Sequence, residues 1–292
     1  MKPKNKRMRR TTFTILFLSL FILGTILIFT TPNCVKSTYG LKTTTQDGVT
    51  IYFNVFEPRT STGGKKKAII LGHGGMATKE FMKGYAIEFA TAGFVAVAHD
   101  FRGHGQSMGE LEREKLIYDV EAIKQYLEDR GDIDMQNLSI LGYSMGGGPA
   151  WELVKQNTSV KCLIGIGTGM PSSLTDAVLS SNVSHPLNVL MIVARFDQAV
   201  TVSELKAGMG LRLTISPEDI DVNKIYGSFK ENNASMIFLD DNSDHLLTAW
   251  DEDFIRTARN WLISTHPDVR AADENLYVNA RFIFLIMQVV GG

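Results

Sequence analysis

Residues 138–148 read Leu138-Ser139-Ile140-Leu141-Gly142-Tyr143-Ser144-Met145-Gly146-Gly147-Gly148, an apolar run that passes directly into a glycine-rich turn around a serine. Residues 138–141 form a short apolar run of the kind that makes a buried strand, and residues 149–155 have the composition of a helix. Between them lies Gly142-Tyr143-Ser144-Met145-Gly146, a G-x-S-x-G pentapeptide. Such a string also arises by chance in glycine-rich turns; the strand before it and the helix after it are what make it informative. Reversing the chain from strand to helix within so few residues forces the central residue into a strained backbone conformation, and glycines two before and two after leave room for it. The serine hydroxyl is thereby lifted out of the sheet. Helix onset also points unpaired backbone N–H groups, that of Met145 among them, at any negative charge that develops beside Ser144.

Outward from this turn, apolar runs at residues 68–71, 94–98, 163–166, 189–193 and 236–239 alternate with helical patterns. A β-like opening precedes them at residues 41–45 and 49–56, around a turn at Gln46-Asp47-Gly48, and residues 35–40 read as a linker. Being apolar on both faces, the runs fit strands of a mostly parallel sheet covered by helices on both sides. The intervening segments carry one apolar stripe at the helical period: Phe81, Tyr85 and Phe89; Leu116, Val120, Ile123 and Leu127; Phe254, Ala258, Trp261 and Leu262. Open α/β sheets take ligands outside the carboxyl ends of their strands, so the chemistry is expected in the loops that follow them.

Three of those loops carry motifs: His73-Gly74-Gly75 after the third strand, Asp100-Phe101-Arg102-Gly103-His104-Gly105-Gln106-Ser107 after the fourth, and the serine turn after the fifth. In this order and spacing the chain resembles the α/β-hydrolase family over most of residues 39–267. The resemblance implies the α/β-hydrolase fold, a mostly parallel central sheet of about eight strands with helices on both faces. It also implies a serine hydrolase like the family's esterase and lysophospholipase branches. The family order is serine, acid, histidine. It makes Ser144 the nucleophile, Asp197, in the turn after residues 189–193, the acid, and His245, after the last strand, the base. Gly75 would give one oxyanion N–H beside that of Met145, with Met76 as the alternative. Ala194 and Asp244 stand where the family commonly has glycine, and Asp241 and Asp244 compete with Asp197 for the acid role. The roles make physical sense. A serine hydroxyl needs a base within hydrogen-bond reach, imidazole titrates near neutrality, and a carboxylate holds its tautomer and stabilises its protonated form.

The other histidines read as non-catalytic: His73 structural in its turn, His104 packing its loop against Asp100 and Arg102, His99 a satisfied residue near the core, His185 and His266 surface positions before prolines. Neither Cys34 nor Cys162 lies in a CxxC pair or near histidine ligands, so both read as free thiols, and no metal or cofactor is implied. Only residues 167–188 separate the sixth and seventh strands, which leaves a small cap or none. Residues 198–235, with Leu205, Met209, Leu211, Leu213 and Ile215, read either as a lid flap or as a helix packing its own apolar face. The substrate expected is a small-molecule or lipid acyl compound, an ester or thioester. Serine at the turn argues against relatives that use aspartate there. Acyl transfer, peptidase action and a non-catalytic binding module remain as alternatives.

The balance of 44% hydrophobic and 21% charged residues is that of a globular protein long enough to bury a large core. Lys2, Lys4, Lys6, Arg7, Arg9 and Arg10 concentrate positive charge in the first ten residues, leaving a mildly acidic body that gives no reason to expect nucleic acid. Residues 1–12 then read as a basic cytoplasmic tail and 13–30 as a transmembrane anchor, with the hydrolase-like domain of residues 36–267 on the outer side. A cleaved signal peptide competes with the anchor, although no A-x-A-like site follows in Thr30-Thr31-Pro32-Asn33-Cys34. The apolar segment of residues 275–292 reads either as a partial membrane helix or as a tail helix packed on the domain or lying at the membrane surface.

Overall fold

A strand covered on both faces needs apolar residues at nearly every position, and the strands on either side of the serine turn meet that condition. The computed structural model describes residues 3–60, 63–171, 186–269 and 276–292. Its elements run α1 (Pro3–Ile28), β1 (Val35–Thr44), β2 (Thr50–Pro58), β3 (Ala68–Gly72), α2 (Lys83–Thr91), β4 (Val95–His99), α3 (Leu116–Asp129) and β5 (Leu138–Tyr143). Then follow α4 (Gly147–Gln156), β6 (Val160–Ile166), β7 (Asn188–Phe196), α5 (Val202–Leu213), β8 (Ser235–Asp244), α6 (Glu252–Thr265) and α7 (Tyr277–Gly291). Every residue of β3, β4 and β5 is buried.

The strands form one sheet in the order β1-β2-β4-β3-β5-β6-β7-β8, antiparallel at β1/β2 and β2/β4 and parallel elsewhere. Alternate residues Ile70, Val97, Ile140, Leu163 and Val193 join one cluster with Leu116, Val120 and Ile123 of α3, Val154 of α4, and Leu205 and Met209 of α5. The intervening Ile69, Ala96, Leu141, Ile164 and Ile192 are buried as well. Helix α2 contacts β2 and β4, α6 contacts β6, β7 and β8, and the two helices pack on each other. The period of two along each strand thus feeds two helix layers.

Several expectations change. Residues 35–40 are not a linker: they open β1, with Val35 opposite Pro58 and Thr38 opposite Val55, before a bulge at Gly40 (φ +68°) whose N–H donates to Asn54 Oδ1 at 3.0 Å. A glycine bulge inside an edge strand looks like a turn in sequence. His266 is no surface residue. It is 3% exposed, and its Nε2 lies 2.9 Å from Ser139 Oγ, because the chain ends α6 there and folds back onto the sheet. His99 is fully buried but unsatisfied; among the described residues neither ring nitrogen has a hydrogen-bond partner. Residues 202–213 form α5, which buries Leu205 and Met209 in the core as a packed helix does, rather than a flap. The cap expected within residues 167–188, and His185 with it, fall largely on residues 172–185, outside the described residues.

The chain divides into two units, Asn33–Ala272 and the pair of ends Met1–Pro32 with Asp273–Gly292. Within the terminal unit, Met8–Ile28 is long and apolar enough to cross a membrane, and α7 is apolar but shorter. The C-terminal segment packs along α1. Tyr277 Oη lies 2.8 Å from Thr30 Oγ1, and Gln288 Nε2 donates to Thr25 Oγ1 at 3.1 Å. A Cβ at Gly24 would lie 2.7 Å from both Phe284 O and Gln288 N, so the absence of a side chain is what lets the two backbones meet.

Burial pushes the imidazoles of His73 and His266 down to about 4 and that of His99 to about 3. The unfolded chain takes up these protons near pH 6.5 while the folded one does not, so stability is full above pH 6.5 and is lost as pH falls toward 4. Each ring should contribute up to about 1.4 kcal/mol per pH unit in that window. Urea unfolding between pH 6 and 4.5 should show stability falling steeply with acid, and His266→Asn should make that slope shallower by about one ring's share. An unchanged slope would mean that His266 is not kept neutral by the fold.

Candidate active site

The turn between β5 and α4 holds Ser144 at φ +50°, a left-handed conformation that costs a residue with a side chain roughly 1–2 kcal/mol. The packing around it explains why that cost is met. A Cβ on Gly142 would run into the carbonyl of Gly146, and one on Gly146 would lie 2.6 Å from Gly72 O at the end of β3. Glycine at both places lets the turn nest against two strand ends. Met145 follows Ser144 in the first helical turn, where backbone N–H groups lack intrahelical acceptors.

His245, directly after β8, reaches this turn from 101 residues away: its Nε2 lies 3.0 Å from Ser144 Oγ. Its Nδ1 lies 3.0 Å from each carboxylate oxygen of Asp197, in the turn after β7. A carboxylate only accepts, so Nδ1 carries the proton of the neutral ring and Nε2 is left to accept from the serine hydroxyl. The Asp197 side chain is fully buried and that of His245 is 14% exposed. Burial works to raise the Asp197 carboxyl, but hydrogen bonds from His245 and from the N–H groups of Ala199 and Val200 outweigh it and hold the group below the usual carboxylate range. The rival acids lie elsewhere. Asp244 Oδ1 accepts from the N–H groups of Leu246 and Leu247, and Asp241 is exposed.

Two tyrosines fasten the histidine loop. Tyr143 Oη donates to His245 O at 2.8 Å, with its ring stacked on Phe81, and Tyr85 Oη donates to Thr248 O at 2.6 Å. On the other side of Ser144 lies the His73-Gly74-Gly75 turn. A Cβ on Gly74 would sit 3.2 Å from that of Ser144, and one on Gly75 would sit 3.7 Å from Met145 Sδ. Met76, the alternative to Gly75, is 93% exposed. Phe101 N–H donates to His73 Nε2 at 3.0 Å, which leaves Nδ1 to donate to Gly74 O at 2.7 Å; the ring ties the turn to the loop after β4. His104 packs against the carbonyl of Arg102, as its loop position suggested, but its other partner is Gly75 O at 2.8 Å rather than Asp100. Arg102, with no exposed side-chain surface, binds Asp119 and Asp47 and so fixes the same loop from behind.

One residue escaped the sequence reading. Gly167, just past β6, has φ +52°, and a Cβ there would lie 2.8 Å from His245 Nδ1 and 3.0 Å from Asp197 Oδ2. No motif surrounds it; the run of residues 163–166 ending in glycine was the only signal. Beyond it, Gly169, Met170, Val200, Ala207, Gly208, Leu211 and Pro217 line most of a cavity of about 520 Å³.

Comparison with known proteins agrees with this architecture. An esterase of Pyrococcus furiosus superposes with a TM-score of 0.58 at 18% identity, over 78% of this chain and 91% of its own. An esterase from Thermogutta terrifontis gives 0.56 at 16% identity, over 78% and 100%. The chain has the α/β-hydrolase fold. A family model described as serine aminopeptidase, S33, matches residues 63–204, a stretch that includes the serine turn and Asp197. An uncharacterised 31.7 kDa protein of Escherichia coli is 31% identical over 124 residues, 40% of this chain and 41% of its own length. The bifunctional esterase/perhydrolase DCH of Acinetobacter calcoaceticus is 32% identical over 108 residues, 36% of this chain and 35% of its own. These alignments therefore span well under half of either relative.

Gly167→Ala should insert a methyl group between the imidazole and the carboxylate and add a positive-φ cost of about 1–3 kcal/mol. Urea unfolding should register the destabilisation, and the low-field proton resonance of the His245 Nδ1–H···Asp197 bond should vanish. Survival of that resonance in the folded variant would show that the loop tolerates a side chain there.

Proposed function

We propose that the chain is a serine hydrolase that cleaves a carboxylic ester, thioester or lipid acyl bond through an acyl-enzyme. The observation that carries this reading is the unbroken line from Ser144 Oγ through His245 to Asp197, with contacts of 3.0 Å throughout and the serine held at φ +50°. In the proposed reaction the Ser144 hydroxyl gives its proton to His245 Nε2 as its oxygen attacks the acyl carbon. Asp197 stabilises the imidazolium without taking its proton. The negative oxygen of the tetrahedral intermediate is met by the N–H groups of Gly75 and Met145. His245 then returns the proton to the leaving alcohol or thiol, and water repeats the sequence on the acyl-serine.

The cavity beyond Gly167 favours an acyl chain over a peptide amine. Among the described residues its lining is mostly apolar, and the one carboxylate there, Glu204, is committed to capping α5, accepting from the N–H and hydroxyl of Thr201. Acyl transfer uses the same groups with an alcohol replacing water.

We also propose that α1 is a membrane anchor with the six cations of the first ten residues on the cytoplasmic side, which places the hydrolase unit outside. Cys34, an exposed free thiol shortly after α1, reports on this, since Cys162 is buried. A membrane-impermeant maleimide should label Cys34 in intact cells, with Cys34→Ser unlabelled; labelling only after lysis would reverse the orientation.

A fluorophosphonate probe should label the wild-type chain and leave Ser144→Ala and His245→Ala unlabelled. On p-nitrophenyl esters, Ser144→Ala and Asp197→Asn should each lose about 10⁴-fold in kcat or more. A folded wild-type protein that is neither labelled nor active would point instead to a binding module.

A further inference from the structure

Three carboxylates crowd together where β8 gives way to α6. Asp240 lies on β8, Asp251 is the N-cap of α6 and Asp253 is in its first turn, and one oxygen from each falls within 4.8 Å of the others. Asp240 is 5% exposed, and its Oδ2 is buried with no hydrogen-bond partner among the described residues. Its Oδ1 accepts from Asn242 N–H at 2.8 Å. Asp251 Oδ1 is occupied in capping the helix, accepting from the N–H groups of Asp253 and Phe254 at 3.0 and 3.1 Å. The nearby cation Arg256 is held by Glu252, and among the described residues no ion pair involves Asp240, Asp251 or Asp253.

A buried, unpartnered carboxylate oxygen facing two further carboxylates is costly, and only two things relieve it: a shared proton or a bound cation. The rival is a proton: burial and the charges of Asp251 and Asp241 push the Asp240 carboxyl up against the pull of the Asn242 N–H, and once protonated it has the Asp251 carboxylate as a side-chain hydrogen-bond partner. We propose that Asp240, Asp251 and Asp253 form a divalent-cation site suited to Ca²⁺. All three donors are hard oxygens of graded exposure, from buried Asp240 to exposed Asp253, which leaves the outer side open to the water ligands that complete a calcium shell. The ion would staple the last residues of β8 to the start of α6. Residues 241–250 lie between those two points, and His245 is among them. The site is thus a clamp on the loop that carries His245. Cation binding itself does not depend on the hydrolase reading.

The test uses the full-length chain in detergent, stripped with EDTA and dialysed. Calorimetric titration with Ca²⁺ should show one site per chain, and Ca²⁺ at a hundredfold excess over Kd should raise the unfolding midpoint by about 5–10 °C. Asp253→Asn, at an exposed position, and Asp240→Asn, of equal shape, should each abolish both effects; Asp251→Asn keeps an N-cap side chain and should weaken binding. Mg²⁺ should shift the midpoint less. The proposal is overturned if neither cation produces heat or a shift. It is overturned equally if Asp240→Asn and Asp253→Asn respond like the wild type, or if Asp240→Asn raises the midpoint with no cation present, the sign of a shared proton. The readouts are heat and midpoint, so a failure here leaves the serine chemistry to be judged on its own probe.

Discussion

Ser144 is held in a left-handed backbone conformation by a turn that has no space for side chains, and the rest of the molecule is arranged around keeping it there. Gly146 approaches the end of β3 so closely that a methyl group would meet the Gly72 carbonyl, and Gly142 approaches Gly146 in the same way. That proximity exists because β3 and β5 are parallel neighbours in register, Gly72 opposite Gly142, so the two strands end at the same level. The sheet core therefore does more than bury apolar surface. It brings the His73-Gly74-Gly75 turn and the serine turn side by side, and the strain at Ser144 is balanced by packing that any slip in register would undo.

The histidine and the acid depend on the same levelling of strand ends. Asp197 and His245 follow β7 and β8, which pair in parallel with Phe196 opposite Asp244. Both side chains can meet because Gly167, after β6, contributes no side chain to the space between them. Tyr143, next to Ser144, donates to the backbone of His245, so the residue beside the serine also holds the loop of its partner. For the reaction proposed above, a line whose contacts are all near 3.0 Å depends on this redundancy, since a displacement of about 1 Å would cost on the order of a hundredfold in rate.

Buried polar side chains carry the loop after β4. Arg102, fully buried, is bracketed by Asp119 and Asp47, and Asp100 accepts from the Lys79 and Gln106 backbone N–H groups. A buried charge left without its partner costs several kcal/mol, so such networks allow one loop conformation and exclude neighbours. His73 uses that rigidity by accepting from Phe101 N–H on one side and donating to Gly74 O on the other.

The strand-helix alternation, the serine turn and its two companion loops were legible in the sequence because each is a local pattern: apolar runs of strand length, a helical stripe, glycines at fixed offsets from Ser144. The acid and histidine positions were legible only as loops of the right order, and the rival carboxylates Asp241 and Asp244 stayed open until the pairing of β7 with β8 placed Asp197 on the imidazole. Strand 35–40 read as linker because a glycine bulge mimics a turn, and His266 read as surface because its partners, Ser139 and Phe94, lie more than a hundred residues away in sequence. Gly167 had no motif around it, only the end of an apolar run before it, since its role is the absence of an atom in a space bounded by residues far along the chain. Local chemistry, by itself, determined the fold class and the serine turn, because φ preferences and hydrophobic period act over a few residues. Which carboxylate faces His245, what the α7 segment packs against and where Asp240 meets Asp251 were decided by tertiary structure alone, because those contacts join residues that only the folded chain makes neighbours.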